Sequence, residues 1–297
     1  MAGKKEKRIQ SAAKQLQKGQ YEKALAEFSR ILREDPEDTE ILLKASELQV
    51  KLGQHLRASE TLFRLGVVFG RQENHFKAVS SFLSVLKLDP NCIDAHQHLV
   101  NLYLKMGMQK DARNQLEILG DHYGKQGVVG QSLDAYRRLV QLDPDNIASL
   151  LKLAEICSSL AMTADAIACF TRAADKLKES GKLQEYVKVL ERLIYHDVNN
   201  FEALKELANI YMQLGDIKAA LGKLQAAYRL NTRDIEVLEM LCQAFLAVSQ
   251  PLKAIQILKV VATIFQEDHS MDMVQKTYQR ILEIDPSDVD ARTFLAT

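Results

Sequence analysis

The chain has little of what usually punctuates or anchors a fold. Its 297 residues include no tryptophan, five prolines, thirteen glycines and four cysteines. Its 39 basic and 39 acidic residues cancel, so no basic excess marks the chain for nucleic acid. No apolar run approaches the roughly 18 residues of a membrane-spanning helix, and no apolar stretch follows the basic start as in a secretory signal. We therefore expect no nucleic-acid partner and no stable membrane insertion.

Sequence signals for catalysis, metals and cofactors are also missing. The cysteines form no CxxC pair and share no zinc-type spacing with histidine, which predicts free thiols in a reducing compartment, the cytoplasm. His96 and His98 sit two apart on a predicted helix, where their side chains point about 200° apart. No phosphate-binding glycine loop, GxSxG or HExxH motif is present. The sequence predicts a non-enzymatic protein with no cofactor and no metal.

What the chain does have is a repeat marked by its prolines. Pro36, Pro90 and Pro144 each follow an aspartate and lie 54 residues apart. Val198 and Thr232 stand at the next two positions where the repeat would place this proline. The Asp-Pro pair then returns at Pro286. We therefore divide the chain into units 1–36, 37–90, 91–144, 145–198, 199–232 and 233–286, and residues 287–297 begin an unfinished unit.

Within each unit the apolar residues follow a helical period. A small residue recurs at Ala24, Ala58, Ala112, Ala166, Ala220 and Ala254. Apolar residues surround it at helical spacing, which predicts amphipathic helices joined by tight turns and stopped by Asp-Pro. The 54-residue units predict three helices each, at roughly 38–52, 54–72 and 75–88 in the first. The whole chain then holds about 16 helices and the start of another.

The clearest unit, residues 201–234, resembles the tetratricopeptide repeat (TPR) family. Its matching positions are Leu204, Leu207, Ala208, Tyr211, Ala220, Leu224 and Ala227. It departs from the family at Thr232, where proline is usual, and it lacks the frequent tryptophan. The resemblance covers essentially the whole chain and implies an all-α, right-handed α-solenoid over 1–297. It also implies a scaffold or adaptor that binds a peptide or a folded protein partner.

The resemblance places the partner in a concave groove lined by first helices. Groove positions fall between the core columns of each 34-residue frame. In this chain they are Glu47, Gln97, Asn101, Lys105, Glu155, Lys205, Asn209, Gln213, Glu239 and Gln243. The three-helix units leave open which helices line that face.

Lys205 and Asn209 match one known binding mode of the family in part. Carboxylate-clamp arrays hold an acidic C-terminus with a Lys and an Asn at these two places. The clamp then needs an Asn on the next first helix, where this chain has Met240 beside Glu239. Because an acid there would repel a carboxylate, we favour a solvated Lys and Asn over a clamp.

The long units also resemble those of bacterial TPR proteins from cells with surface motility and polarity systems. In some of these proteins the array docks a small Ras-like GTPase. The alternative function is therefore that of a regulatory effector of such a GTPase.

Overall fold

A computed structural model describes residues 2–296, with side chains from residue 4 onward, and in that range every regular element is an α-helix. The chain divides into two compact units, the first ending at Pro144 and the second beginning at Asp145. The first unit contains α1 (Ala2–Gln17), α2 (Tyr21–Glu34), α3 (Thr39–Lys51), α4 (His55–Arg71), α5 (His75–Leu88), α6 (Ile93–Lys105), α7 (Gln109–Lys125) and α8 (Val129–Leu142). The second contains α9 (Ile147–Ser159), α10 (Thr163–Glu179), α11 (Leu183–His196), α12 (Phe201–Gln213), α13 (Ile217–Leu230), α14 (Ile235–Ala247), α15 (Pro251–Glu267), α16 (Met271–Ile284) and α17 (Val289–Ala296).

Helix lengths repeat along the chain. Helices of 13, 17 and 14 residues follow one another in α3–α5 and α6–α8 of the first unit. The same order recurs in α9–α11 and α14–α16 of the second unit. Between them, α12 and α13 form a pair of 13 and 14 residues. The predicted fold class, an all-α helical-repeat solenoid, is confirmed, and the described part of the chain has 17 helices.

A short polar residue is the N-cap of the first helix in most three-helix groups. The Asp38 carboxylate accepts a hydrogen bond from the Ile41 amide at 3.2 Å, and Asp234 accepts one from Val237 at 2.9 Å. These side chains satisfy amides that have no partner within the helix. Cys92 holds the same place before α6 and makes no such bond.

The turns between helices bring one residue into the left-handed region. Gly53 has φ +70° between α3 and α4, and the next amide, of Gln54, reaches back to the Gln49 carbonyl at 2.8 Å. Glycine suits this turn because it has no Cβ to clash with the carbonyl. Ala161 takes the same place between α9 and α10 with φ +57°. There the backbone is held in a conformation that alanine disfavours.

Small residues let neighbouring helices approach closely. All six alanines of the recurring column are 0% exposed. Gly66 and Gly120 allow a still closer contact, because a Cβ at either would lie within 2.9 Å or 2.7 Å of the rings of Phe82 and Tyr136. Each three-helix group of the first unit therefore locks its second helix against an aromatic ring of its third. None of the helices described in residues 2–296 is long and apolar enough to cross a bilayer.

Candidate functional site

Four of the predicted groove residues line one cleft in the second unit. The cleft has a volume of about 630 Å³ and lies between α12 and α14, with the end of α10 beside it. Lys205 and Asn209 project into it from α12, and Glu239 and Gln243 from α14. Each pair is spaced by four residues, so both members lie on one face of their helix. We call this the α12–α14 cleft; its other lining residues are Lys178, Glu202, Glu206, Ile235, Glu236 and Met240.

The Lys205 amine in this cleft is already held by carboxylates. It donates to Asp234 at 3.2 Å and also pairs with Glu236. Burial works against its charge, but the hydrogen bonds with Glu236 and Asp234 outweigh that effect and raise the pKa of Lys205 above its ordinary value. Asp234 at the same time caps α14. The amine is therefore part of the support of α14, and a peptide carboxylate would have to displace two acids to reach it.

Glu239 is also braced from within the second unit. The Arg280 guanidinium of α16 donates to both of its carboxylate oxygens, at 2.7 and 2.8 Å. Such a two-pronged contact fixes orientation as well as charge. We call the Glu239–Arg280 pair the α14–α16 brace. It links the first helix of a three-helix group to the third.

Acids outnumber bases around the cleft. Four of its lining residues are glutamates and two are lysines. Lys178 is paired with Glu206 at 2.8 Å, and exposed Glu202 has no ion pair within residues 2–296. The amides of Asn209 and Gln243 are exposed between these charged pairs. The cleft thus offers amide donors and acceptors in a field with an excess of negative charge.

Gln97 and Asn101 lie together in a second, smaller cleft, of about 290 Å³, in the first unit. This cleft is flanked by α6 and α8, with α7 below. The Gln97 amide donates to the Tyr123 hydroxyl at 2.7 Å, and Arg138 of α8 donates to the Asn101 side chain at 3.4 Å. Their polar groups are partly engaged in joining the three helices.

Glu47 lies in a third cleft, between α3 and α5 of the first unit. Lys105, Glu155 and Gln213 are exposed and line none of these three clefts. The predicted groove residues are thus divided among separate clefts and open surface in two units. Their use as a single concave binding face stays a prediction.

The sequence analysis did not identify Arg280, which makes a two-pronged contact with the predicted residue Glu239. A signal was available, because an arginine recurs at the tenth residue of the third helices, as Arg138, Arg192 and Arg280. The predicted groove positions all lie on first helices, so they do not include these arginines of the third helices. Two of its members reach a first helix of their own group, at Asn101 and Glu239.

The two histidines of the HxH pair have different surroundings. His96 is buried and both ring nitrogens are bonded, one to Gln115 at 2.6 Å and one to the Pro90 carbonyl at 3.0 Å. His98 stacks on Phe82 with ring centroids 4.8 Å apart, and burial lowers the pKa of its imidazole. Across residues 2–296, no group of three or more His, Cys, Asp or Glu side chains could hold a metal ion.

Known proteins resemble parts of this chain. The family model for the tetratricopeptide repeat matches residues 15–67, from the end of α1 into α4. A human relative, protein O-mannosyl-transferase TMTC1, is 25% identical over 189 residues, which are 59% of this chain and 20% of that protein. The chain thus spans about one fifth of the length of this curated relative.

Two solved structures illustrate the likeness. The crystal structure of MamA covers 53% of this chain and 94% of its own, with 16% identity and a TM-score of 0.32. A tetratricopeptide repeat protein from Parabacteroides merdae covers 92% of this chain and 98% of its own, with 16% identity and a TM-score of 0.28.

Proposed function

We propose that this chain is a tetratricopeptide repeat protein and acts as a non-enzymatic scaffold or adaptor that binds a protein segment in the α12–α14 cleft. Helical-repeat arrays present side chains of successive helices as an extended binding surface. A peptide or a partner helix fits a shallow, charged surface of this kind better than a small metabolite, which needs an enclosed and mainly apolar pocket.

The observation that carries the proposal is the exposed pair of amides between fixed charges. Asn209 and Gln243 are exposed, while Lys205 and Glu239 beside them are held by their own partners. Amide side chains can bond the main chain of an extended segment, and charges that are already fixed lose little freedom on binding. The cleft is therefore organised before a partner arrives.

The charge of the cleft favours a segment that carries lysine or arginine. Four glutamates against two lysines leave an excess of acid, and Glu202 and Glu236 are both exposed to an incoming partner. Opposite charge speeds encounter and selects among partners. An acidic C-terminus would meet repulsion, and Lys205 is occupied by Asp234 and Glu236.

Fluorescence anisotropy with labelled peptides of matched length tests this function on the intact chain. Basic peptides should bind more tightly than acidic peptides of the same apolar content, and the difference should shrink as salt is raised to about 0.5 M. Glu202→Lys combined with Asn209→Ala should weaken the basic peptide about tenfold. Lys218→Ala, at an exposed lysine of α13, is the matched control and should leave binding unchanged.

The opposite preference would overturn the proposal. If an acidic C-terminal peptide binds best and Lys205→Ala abolishes that binding, the site is a carboxylate clamp. The regulatory alternative, an effector of a small Ras-like GTPase, is separated by pull-down with the GTPase loaded with GDP or with a GTP analogue. Capture that depends on the nucleotide would favour the effector role, and capture that does not would favour the scaffold.

We also propose a cytoplasmic location and a bacterial origin. A reducing, cytoplasmic setting follows from the free cysteines, three of which are buried: Cys157, Cys169 and Cys242. A bacterial origin follows only from the resemblance of the long units.

A further inference from the structure

Helix α5 of the first unit exposes large apolar side chains at two places where its sister helices have glycine or polar residues. Phe76 is 78% exposed and Leu83 is 39% exposed. The residues at the place of Phe76 in the other third helices are Gly130, Gln184 and Asp272, and those at the place of Leu83 are Arg137, Glu191 and Gln279. Because the repeats share one fold, these sister residues show what the same two places carry in the other third helices. Helix α5 departs from that pattern in the direction expected of a covered face.

The same helix borders an apolar groove. Leu43 and Val50 of α3, Leu62 of α4 and Leu88 of α5 line a cleft of about 470 Å³, which we call the α3–α5 groove. A second hollow, of about 490 Å³, runs along α5 itself past Phe76 and Leu83. Ser84 and Lys87 line both hollows, so the two hollows lie next to each other on this helix.

The groove is apolar because it lacks the brace found in the second unit. Leu43 is the fifth residue of its first helix, as Glu239 is, and Ser84 is the tenth residue of its third helix, as Arg280 is. In α14–α16 the arginine crosses to the glutamate and spans the corresponding space. In α3–α5 a leucine and a serine leave that space unspanned and lined by hydrocarbon.

The charges at the edges of the groove are mainly positive. Helix α5 carries Lys77 and Lys87 and no acidic residue. Lys51 borders the groove from α3, and Glu47 is the one acid that lines it. Neither Lys51 nor Lys87 has an ion pair within residues 2–296; Lys51 lies over the Tyr21 ring, 5.8 Å from its centroid. An occupant therefore gains most from an apolar face with carboxylates along its border.

We propose that the α3–α5 groove, together with the neighbouring hollow on α5, docks an amphipathic helix of another protein. The apolar face of that helix lies on Leu43, Val50 and Leu83, and its bordering carboxylates lie near Lys51 and Lys87. Helix α5 has 14 residues, or about 20 Å of length, which matches about four turns of a partner helix. Such a helix presents apolar residues three and four apart, the spacing that a groove between two helices accepts. This surface belongs to the first unit and does not depend on the α12–α14 cleft.

A designed helical peptide of about 18 residues serves as the probe. Its leucines follow the spacing i, i+3, i+4 and i+7, and glutamates border that face. A second peptide replaces every glutamate with lysine, and a third scrambles the first. Anisotropy titrations on the intact chain should show the glutamate helix binding about tenfold or more tightly than either of the others, with the preference reduced at high salt.

The decisive variant transplants the brace into the groove. Leu43→Glu combined with Ser84→Arg should span the groove as in α14–α16 and weaken the glutamate helix by about tenfold or more. If that variant fails to fold, Phe76→Gln with Leu83→Gln supplies the test, because both changes copy residues of sister helices, Gln184 and Gln279. Gln279→Ala on α16 is the matched control and should leave the affinity unchanged.

Three results would overturn the proposal. The lysine helix or the scrambled peptide could bind as tightly as the glutamate helix. The groove variants could bind the glutamate helix as the original chain does. Finally, sedimentation could show self-association of the chain that Phe76→Gln with Leu83→Gln abolishes, which would place a second copy on this face instead of a partner helix.

Discussion

Helices α3–α5 of the first unit and α14–α16 of the second have the same lengths and opposite surface chemistry. In α14–α16 the Glu239–Arg280 pair crosses from first to third helix. In α3–α5 the matching residues are Leu43 and Ser84, and an apolar groove lies between the helices. The core columns set how the helices pack, and two side chains outside those columns decide whether the groove between them is polar or apolar. One scaffold can thus carry surfaces for different partners.

The largest expected effect concerns the part of the scaffold that keeps the helices close. Gly120→Ala would place a methyl group 2.7 Å from the Tyr136 ring, whose hydroxyl donates to Asp121 at 2.6 Å. The ring must shift, so we expect the free energy of unfolding to fall by about 2 kcal/mol despite the better helix propensity of alanine. Urea denaturation followed by circular dichroism measures it.

Gly222→Ala is the matched control for that change. Gly222 lies within α13, and a Cβ added there would have no atom of another part of the chain within 4 Å. There only the propensity gain operates, and stability should rise by about 0.5–1 kcal/mol. If the stability changed equally at the two glycines, Gly120 would not be a close-packing position, and the account of the scaffold would be contradicted.

A smaller effect is expected from breaking the brace. Arg280→Ala leaves the half-buried Glu239 carboxylate without its partner. The Arg280 side chain is 41% exposed and the Glu239 side chain is 29% exposed, so solvent weakens their attraction. We therefore expect the free energy of unfolding to fall by about 1 kcal/mol. Arg229→Ala, at an exposed arginine of α13, should cost less than about 0.5 kcal/mol. A brace variant as stable as this control would show that the pair contributes nothing to holding α14 and α16.

The helix caps offer a stabilising change in the first unit. Cys92 precedes α6 without a capping bond, where Asp38, Asn146 and Asp234 each accept one in sister repeats. Cys92→Asn should raise stability by about 1 kcal/mol in chemical denaturation. Cys92→Ala separates loss of the thiol from gain of the cap and should give no rise. If the two variants were equally stable, the N-cap hydrogen bond would not contribute to the first helices as we propose.

The smallest expected effect is at a turn in the second unit. Ala161 has φ +57°, where Gly53 and Gly107 stand in the first unit with φ near +70°. Ala161→Gly should relieve the strained backbone and raise the free energy of unfolding by about 0.5 kcal/mol. A small rise in the thermal midpoint would show this. Gly53→Ala, the reverse change, should lower it. A rise with both changes would contradict the common turn geometry.

Most of the fold could be predicted from columns that recur at fixed intervals. The Asp-Pro stops and the six alanines locate helices and turns because each controls its local backbone or a tight contact. The site was harder to predict. Lys205 and Asn209 were found together because a spacing of four keeps them on one face, yet the partners of Lys205 lie about 30 residues away. Such pairings depend on how helices stack, which local periodicity does not describe.

The apolar surface of α5 shows a second limit of sequence reasoning. Phe76 and Leu83 look like ordinary core residues in a helical pattern, and only the packed structure shows that they face outward. The comparison with sister helices points to this difference, since the other third helices have glycine or a polar residue at the place of Phe76 and polar residues at the place of Leu83. In the tetratricopeptide repeat pattern the groove positions lie on first helices, and α5 is a third helix.

A crossed titration tests the central claim that this scaffold carries two surfaces of different chemistry. The basic peptide and the glutamate helix are each titrated into the original chain, into Glu202→Lys with Asn209→Ala, and into Leu43→Glu with Ser84→Arg. We predict that the first variant loses about tenfold affinity for the basic peptide alone, and the second about tenfold for the glutamate helix alone. Equal losses of both peptides in either variant, or no loss in both variants, would contradict the account.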